Sequence, residues 1–264
     1  MIIVNELDVS MFKQRKDGVQ VVTHTSADVE VKLIPLGDVH LGSPTCNIKK
    51  FIETIDYIKK SGSLVILMGD LMEAASRHSV GAGWVEQTGT PQDQLDFFEQ
   101  ILYPIRKQIL VVLDGNHEHR IWIQTGIHVS KILAKHLGVP YGGYSCFVKL
   151  RVQKQNYILH AQHGSSSAWY PQTKITAAIR TAQHTNADVF LYGHTHELMS
   201  LALDRREFDI RSRTIKRRKV YFCLTGGFLD YEGSYAQRKN LYPTKSGVAK
   251  LKFFGNHWDV HIST

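Results

Sequence analysis

The chain has 264 residues, of which 43% are hydrophobic and 21% charged; this excludes global disorder and suits one large α/β domain. Its 32 Lys and Arg outnumber 24 Asp and Glu, and the net charge of +8 points to an anionic partner. Three widely spaced Cys without a CxxC pattern exclude a disulfide framework and favour a reducing compartment, which we expect to be the cytoplasm. We find neither a signal peptide nor an apolar run long enough to span a membrane, so we expect no membrane association.

The first half of the chain alternates predicted strands with predicted helices. Thr90-Pro91 followed by Asp93 is typical of a helix start, because Thr caps the helix and Pro suits its first turn. The expected elements are strands over 19–24 and 31–36, a helix over 47–60, a strand over 64–68, a helix after Thr90 and a strand over 109–113. This alternation predicts parallel βαβ units.

The second half is richer in predicted strands. The expected elements are a helix over much of 121–137, weakened by Gly126, strands over 144–152 and 155–161, a helix over 173–184, a strand over 188–192 and a β-rich tail from about 198. We therefore expect a single α/β domain over residues 1–264, in which the β-rich part forms a second sheet packed on the first.

Metal-capable residues next to Gly follow five of the predicted strands. The five motifs are Gly37-Asp38-Val39-His40, Gly69-Asp70, Gly115-Asn116-His117-Glu118, His163-Gly164 and Gly193-His194-Thr195-His196. Ligands of open α/β sheets bind beyond the carboxyl ends of the strands, so these loops would deliver polar groups to one edge. Carboxylate, amide and imidazole donors suit Mn, Fe, Zn, Co or Ni better than Ca.

Each motif alone also fits an ordinary turn or a surface histidine, but the five together are highly specific. In this order they resemble the calcineurin-like metallophosphoesterases, whose signature is DxH, GDxxD or GDxxE, GNHE or GNHD, a His before Gly, and GHTH. The resemblance covers roughly residues 31–235. It implies a four-layer α/β sandwich, with two mixed sheets flanked by helices, and a binuclear metal centre.

The resemblance also implies a role for each motif residue. The first metal would be bound by Asp38, His40 and His196. The second metal would be bound by Asn116, His163 and His194, and Asp70 would bridge the two. A hydroxide bridging the two metals would attack phosphorus in line. His117 would protonate the leaving-group oxygen, and Glu118 would orient or tune that histidine.

Two assignments have alternatives. The fourth motif offers His160 as well as His163; the two lie three residues apart, so strand alternation puts them on opposite faces. We expect His163 to be the ligand and His160 to be packed, although the reverse assignment stays open. Glu73 occupies an acidic position that some family members carry, and we expect it to support the site rather than bind metal.

The motifs favour one kind of phosphoesterase. The Arg-containing GDxVDRG form of the Ser/Thr protein phosphatases is absent, since Asp70 is followed by Leu-Met-Glu-Ala-Ala. His117 favours phosphodiester chemistry, because a poor leaving group needs a proton donor. We therefore expect a phosphodiesterase that acts on nucleic acid or nucleotides with two divalent ions, Mn foremost. The alternatives are a phosphomonoesterase or small-metabolite pyrophosphohydrolase, and a non-catalytic scaffold.

Most of the positive charge lies in residues 205–219, which hold eight basic and two acidic side chains and so account for +6 of the net +8. This segment would form a hairpin or loop on the active-site side and bind a nucleic-acid backbone; a solvated hairpin is an equal alternative. The expected substrate contacts are His78, His119, Arg120 and Tyr141. The oligomeric state stays open.

Overall fold

The computed structural model of the chain describes residues 18–77, 79, 83–166 and 168–264. The strands are β1 (Val21–Ser26), β2 (Glu30–Leu36), β3 (Leu64–Leu67), β4 (Ile109–Leu113), β5 (Tyr141–Gly143), β6 (Ser145–Val152), β7 (Gln155–Gln162), β8 (Val189–Tyr192), β9 (Leu198–Asp209), β10 (Thr214–Gly227), β11 (Gly247–Val248), β12 (Lys250–Phe254) and β13 (Val260–Ser263). The helices are α1 (Ile48–Ser61), α2 (Gly83–Glu86), α3 (Pro91–Leu102), α4 (Asn116–Thr125), α5 (Val129–Leu137), α6 (Pro171–Thr181) and α7 (Tyr235–Arg238).

The strands form two sheets. The first sheet has the order β13-β12-β2-β3-β4-β5, and its strands β2 to β5 are parallel. The second sheet has the order β1-β6-β7-β8-β10-β11, with β9 paired along β10. Within the second sheet, β7, β8 and β10 are parallel. Both sheets therefore contain parallel strands whose carboxyl ends can share one site.

Four layers bury the apolar side chains. The two sheets face each other across a core that includes Leu33, Ile66, Val148, Tyr157 and Leu191. Helices α1, α3 and α5 cover the outer face of the first sheet, and α6 covers the outer face of the second. The expected fold class, a mixed α/β protein with two sheets flanked by helices, is confirmed.

One predicted element is wrong in its extent. In place of one helix over much of 121–137, the structure has α4, which already begins at Asn116, and a separate α5. Gly126 ends α4 because it takes the left-handed conformation, with φ of 73°, which glycine adopts without steric penalty. The early start places Asn116 and His117 on the first turn of α4, directly beside the site described below.

Among the described residues, no helix is both long enough and apolar enough to cross a lipid bilayer.

Candidate metal centre

The loops after β2, β3, β4, β7 and β8 meet at one edge of the two sheets. They bring together Asp38, His40, Asp70, Asn116, His163, His194 and His196. The first four come from loops of the first sheet and the last three from loops of the second. The convergence follows from the shared direction of the strands, because the carboxyl ends of parallel strands lie at the same edge.

One group consists of Asp38, His40 and His196. The Nε2 atoms of His40 and His196 are 3.1 Å apart, and His196 Nε2 lies 3.7 Å from Asp38 Oδ1. Their three ligand atoms all lie within 4.8 Å of one another, close enough to hold one metal ion. Asp38 and His40 are almost completely buried.

A second group lies around Asn116. Its Oδ1 atom is 3.0 Å from His163 Nε2 and 2.7 Å from His194 Nδ1. His163, His194 and Asp70 also form a set of ligand atoms within 4.8 Å of one another. An amide oxygen facing two imidazole nitrogens is a donor set that suits divalent transition metals.

Asp70 lies between the two groups. Its Oδ2 atom is 3.4 Å from His163 Nε2 in one group and 3.8 Å from His40 Nε2 in the other. The carboxylate is almost fully buried, and the first turn of α4 holds it in place, since Asp70 Oδ1 accepts a hydrogen bond from the His117 N–H. This position allows one carboxylate to contact ions in both groups.

The backbone of the site is strained. Asp38, His40, Asp70, His194 and His196 all have positive φ, between 48° and 64°, which is uncommon for residues other than glycine. They are five of the nine non-glycine residues with positive φ in the described part of the chain. Strain of this kind persists where surrounding structure overrides it and is typical of functional sites.

The electrostatics of the site favour a bound cation. Burial raises the pKa of Asp38 to about 7. The nearby His163 opposes this shift, and the charge of Asp70 adds to it. Burial opposes ionisation of Asp70 too, but His163 and His117 hold its pKa well below its usual range. Within the described residues, only histidines form ion pairs with these two carboxylates. A cation would relieve the repulsion between them, so the residues fit divalent metal ions.

The structure separates the two histidines of the fourth motif. His163 is in the site, and its Nδ1 lies 2.8 Å from the Met68 carbonyl oxygen, which fixes the ring. His160 points to the outer face of β7, where its ring packs against Phe147 and Phe190 at centroid distances of 5.0 and 5.9 Å. Only His163 can therefore reach the other metal-capable groups.

Glu118 does not contact the ring of His117, which corrects the expectation that it orients this histidine. Its carboxylate accepts four backbone hydrogen bonds, from the N–H groups of Asp70, Leu71, Met72 and Gly115. Glu118 is the third residue of α4, and its side chain points back towards the start of the helix. Its hydrogen bonds therefore join the loop after β3 to the start of α4. These hydrogen bonds fix the backbone of the loop on which Asp70 lies.

The loop after β3, which contains Asp70, approaches Gly115 very closely. A Cβ atom on Gly115 would lie 2.1 Å from both the backbone nitrogen and the Oδ1 of Asp70. Only glycine fits there, which explains the Gly before Asn116 in physical terms.

Glu73 takes the orienting role instead. His117 Nδ1 lies 2.8 Å from the Glu73 carbonyl oxygen, and the Glu73 carboxylate lies 3.3 Å from His40 Nδ1. His117 Nε2 is left facing Asp70, 3.9 Å from Oδ2. Burial and the neighbouring His40 lower the pKa of His117 to about 4. The acidic residue at the end of the second motif was the sequence signal for the carboxylate contacts, with His40 and with His117 Nδ1 at 3.6 Å, and not for the carbonyl contact.

The expected substrate contacts separate into three cases. Tyr141 is a correction: it is buried and its hydroxyl donates to Asp114 Oδ2, so it cannot reach a substrate. His119 and Arg120 lie on α4 near the rim of the site, and the charge of Arg120 acts on His117 and Glu73. His78 lies outside the described residues.

The basic segment 205–219 forms a hairpin, but not on the active-site side. Thr225 pairs with Leu198 near the site, whereas Thr214 pairs with Asp209 eleven residues away at the hairpin tip. At about 3.3 Å per residue, the tip lies roughly 35 Å from the metal-capable residues. After His196 the chain continues into β9, which runs antiparallel to β10 and therefore away from the site. Sequence proximity to the last motif was misleading here.

The profile of the family described as calcineurin-like phosphoesterase matches residues 31–198, which is well over half of the chain. The chain therefore belongs to the calcineurin-like phosphoesterase family and is a metal-dependent phosphoester hydrolase. This confirms the resemblance seen in the five motifs. Members of the family use divalent metal ions, and the donor groups described above can hold them.

Solved structures that are similar to this chain share little sequence identity with it. An uncharacterized protein described as a predicted phosphoesterase from Streptococcus pneumoniae TIGR4 is 13% identical, with 90% of this chain and 91% of that chain covered and a TM-score of 0.42. A metallophosphoesterase from Sphaerobacter thermophilus is also 13% identical, with 88% and 87% covered and a TM-score of 0.39. Vps29 from Entamoeba histolytica, complexed with Zn²⁺, is 14% identical, with 89% and 97% covered and a TM-score of 0.35. No curated protein sequence matches the chain.

Proposed function

We propose that the protein is a binuclear metal-dependent phosphodiesterase that acts on nucleic acid or nucleotides. The observation that carries this proposal is the position of Asp70, whose Oδ2 lies within 4 Å of one histidine from each donor group. Two donor groups that share one carboxylate fit a pair of metal ions, with Mn²⁺ as the first candidate.

The residues divide into two proposed ligand sets. Those of the first metal are Asp38, His40 and His196, those of the second are Asn116, His163 and His194, and Asp70 is common to both. When bound, the ions supply Lewis-acid stabilisation of the phosphoryl oxygens and a nucleophile at neutral pH. Glu118 and Gly115 keep Asp70 in the shared position through the backbone contacts described above.

His117 is the proposed general acid. Because Nδ1–H donates to the Glu73 carbonyl, Nε2 is the atom that gives a proton to the leaving oxygen, and it carries that proton only in the imidazolium form. The pKa of about 4 disfavours this form in the free protein, so the negative charge of a bound phosphodiester must raise the pKa of His117. The contact with Glu73 holds the ring in one orientation, and Glu73 is thus a positioning residue. A proton donor beside the shared carboxylate supports a substrate with a poor leaving group, such as a sugar alkoxide.

An aromatic rim beside the second ligand set supports a nucleotide substrate. The ring of His119 stacks on Trp122 with centroids 4.9 Å apart, and Tyr144 meets His119 edge-on at 5.1 Å. The Tyr144 carbonyl accepts a hydrogen bond from the His163 backbone, which places Tyr144 next to a proposed ligand. Tyr144 is 46% exposed, so one face can stack on a base.

The test combines metal content with activity. The purified, Mn²⁺-loaded wild type should contain two ions per chain by elemental analysis and hydrolyse bis-p-nitrophenyl phosphate. Asp70→Asn should lower the ion content and reduce hydrolysis by about a thousandfold or more, since the shared carboxylate charge is lost. Asp209→Asn, at the distant hairpin tip, is the matched control and should keep both properties. Unchanged hydrolysis by Asp70→Asn would overturn the proposed mechanism.

A second candidate is a small-molecule phosphomonoesterase or pyrophosphohydrolase using the same ligands. The observation that favours it is the distance of the basic hairpin, because none of residues 205–219 reaches the site. Comparison of kcat/KM for dinucleotides, mononucleotides and nucleoside diphosphate sugars distinguishes the two candidates.

A further inference from the structure

The hairpin extends well beyond the body of the second sheet. Tyr221 is the first residue of β10 that pairs with β8, so residues 214–220 pair only with 203–209 of β9. We call residues 203–220 the basic ribbon. Its seven pairs span roughly 20 Å. An isolated two-stranded hairpin is marginally stable in water, so contacts with the body must support it.

One face of the basic ribbon is bound to the body of the protein. Arg218 donates from Nη2 to Asp188 Oδ1 at 2.6 Å and from Nη1 to Asn186 Oδ1 at 2.8 Å. Its cross-strand partner Arg205 donates to the Ala182 carbonyl oxygen at 2.6 Å. On the same face, Lys216 pairs with Asp209. The cations of this anchored face are therefore already used within the protein.

The opposite face, which we call the open face, carries Arg206, Phe208, Ile215 and Arg217, and at its base Asp204 lies across from Lys219. Arg206 lies directly across from Arg217, and Phe208 lies directly across from Ile215. Phe208 and Ile215 are 66% and 57% exposed. Among the described residues, no carboxylate lies within 4.0 Å of the guanidinium group of Arg206 or Arg217. Like charges directly opposite each other destabilise a strand pair, so an anion bound between Arg206 and Arg217 would stabilise this arrangement.

We propose that the open face of the basic ribbon binds double-stranded DNA. Paired arginines neutralise backbone phosphates, and the major groove of B-form DNA is wide enough to admit a two-stranded β-ribbon. The deep, narrow major groove of double-stranded RNA does not admit one, which favours DNA. The exposed Phe208 and Ile215 supply apolar contact area beside the two arginines.

The ribbon acts at a distance from the chemistry. Its tip is roughly 35 Å from the metal-capable residues, so it contributes to DNA affinity and not to cleavage of the phosphoester. This inference rests on the nucleic-acid part of the proposed function. Binding by the ribbon and hydrolysis at the site are separable, and the two can therefore be measured independently.

The test uses the Mn²⁺-loaded protein and a phosphorothioate 20-base-pair DNA duplex, with binding measured by fluorescence anisotropy over a range of salt concentrations. The variant carries Arg206→Gln and Arg217→Gln. The matched control carries Lys149→Gln, at an exposed position of β6, and Lys154→Gln, in the turn between β6 and β7. The arginine variant should bind about tenfold more weakly, and the slope of log affinity against log salt should decrease by about 2. The control should bind as the wild type does.

Three outcomes would overturn the inference. The first is that the wild type and the arginine variant bind the duplex equally well. The second is that the arginine variant and the lysine control lose the same amount of DNA affinity. The third is that the arginine variant binds DNA normally but loses binding to anionic lipid vesicles or loses self-association. The arginine variant should unfold at a temperature no lower than the wild type, because a like-charge pair is removed. Hydrolysis of bis-p-nitrophenyl phosphate should be unchanged in the variant. If all three proteins lack this hydrolysis but differ in DNA binding as expected, the proposed function fails and the ribbon inference stands.

Discussion

The Nδ1 atom of His117 lies 2.8 Å from the backbone carbonyl oxygen of Glu73, a residue 44 positions earlier in the chain. The contact joins the loop after β3 to the first turn of α4 and leaves only Nε2 of His117 free to face the substrate side. A backbone carbonyl cannot be removed by a side-chain substitution. The role of His117 is therefore best tested at His117 itself.

Replacement of His117 by Ala should affect substrates according to their leaving groups. Hydrolysis of a dinucleotide, which releases a sugar alkoxide, should fall by about 10²–10⁴-fold in kcat, because that oxygen needs a proton. Hydrolysis of bis-p-nitrophenyl phosphate should fall much less, since nitrophenolate leaves without protonation. Steady-state kinetics on both substrates measures the difference, and metal content serves as the control. Equal losses on the two substrates would argue against a general acid.

Replacement of Glu118 by Gln should destabilise the protein. The carboxylate accepts two hydrogen bonds on each oxygen, whereas an amide offers only one oxygen and directs an NH₂ group at two backbone N–H groups. The loss should be about 3 kcal/mol in the free energy of unfolding, measured with urea. Glu53→Gln, in an exposed pair with Lys50, is the matched control and should change stability by less than about 1 kcal/mol. A stable Glu118→Gln protein would show that these hydrogen bonds are dispensable.

Tyr144 provides a test of the aromatic rim. Tyr144→Ala should raise KM for a dinucleotide by about 5- to 100-fold, the range expected for loss of one base-stacking contact. Tyr144→Phe keeps the ring and should behave as the wild type does. Hydrolysis of glycerophosphocholine, which has no aromatic group, should be the same in all three proteins. A similar loss on this substrate would mean that Tyr144 supports the metal site and does not stack on a base.

His160 should make stability depend on pH. Burial lowers the pKa of His160 to about 4 in the folded protein, from 6.5 for an ordinary histidine. The unfolded chain therefore binds more protons, and the stability that neutral His160 contributes is lost as the pH falls from about 6.5 through 4. His160→Phe removes this contribution, so its urea-unfolding free energy should fall less than that of the wild type between pH 7 and pH 5. Parallel pH curves for the two proteins would contradict the prediction.

Much of the fold followed from local patterns. Strand β4 was predicted over the residues where it lies, because five consecutive apolar residues before Asp114 are typical of a buried parallel strand. The helix over 121–137 was wrong because apolar spacing continues through Gly126, and only its left-handed backbone shows that the helix stops there. The placement of the basic segment was wrong because strand direction, not sequence distance, decides where a hairpin points.

The sequence by itself determined the family and the set of metal-capable residues, because each motif is local and is read directly from a few consecutive positions. The alternating strands also determined that these motifs share one edge. Only the tertiary structure decided which groups touch: Asp70 between the two donor groups, Glu73 rather than Glu118 on His117, and the net positive segment far from the site. These relationships join residues that are distant in the chain, and they depend on backbone strain, strand register and packing that no single motif encodes.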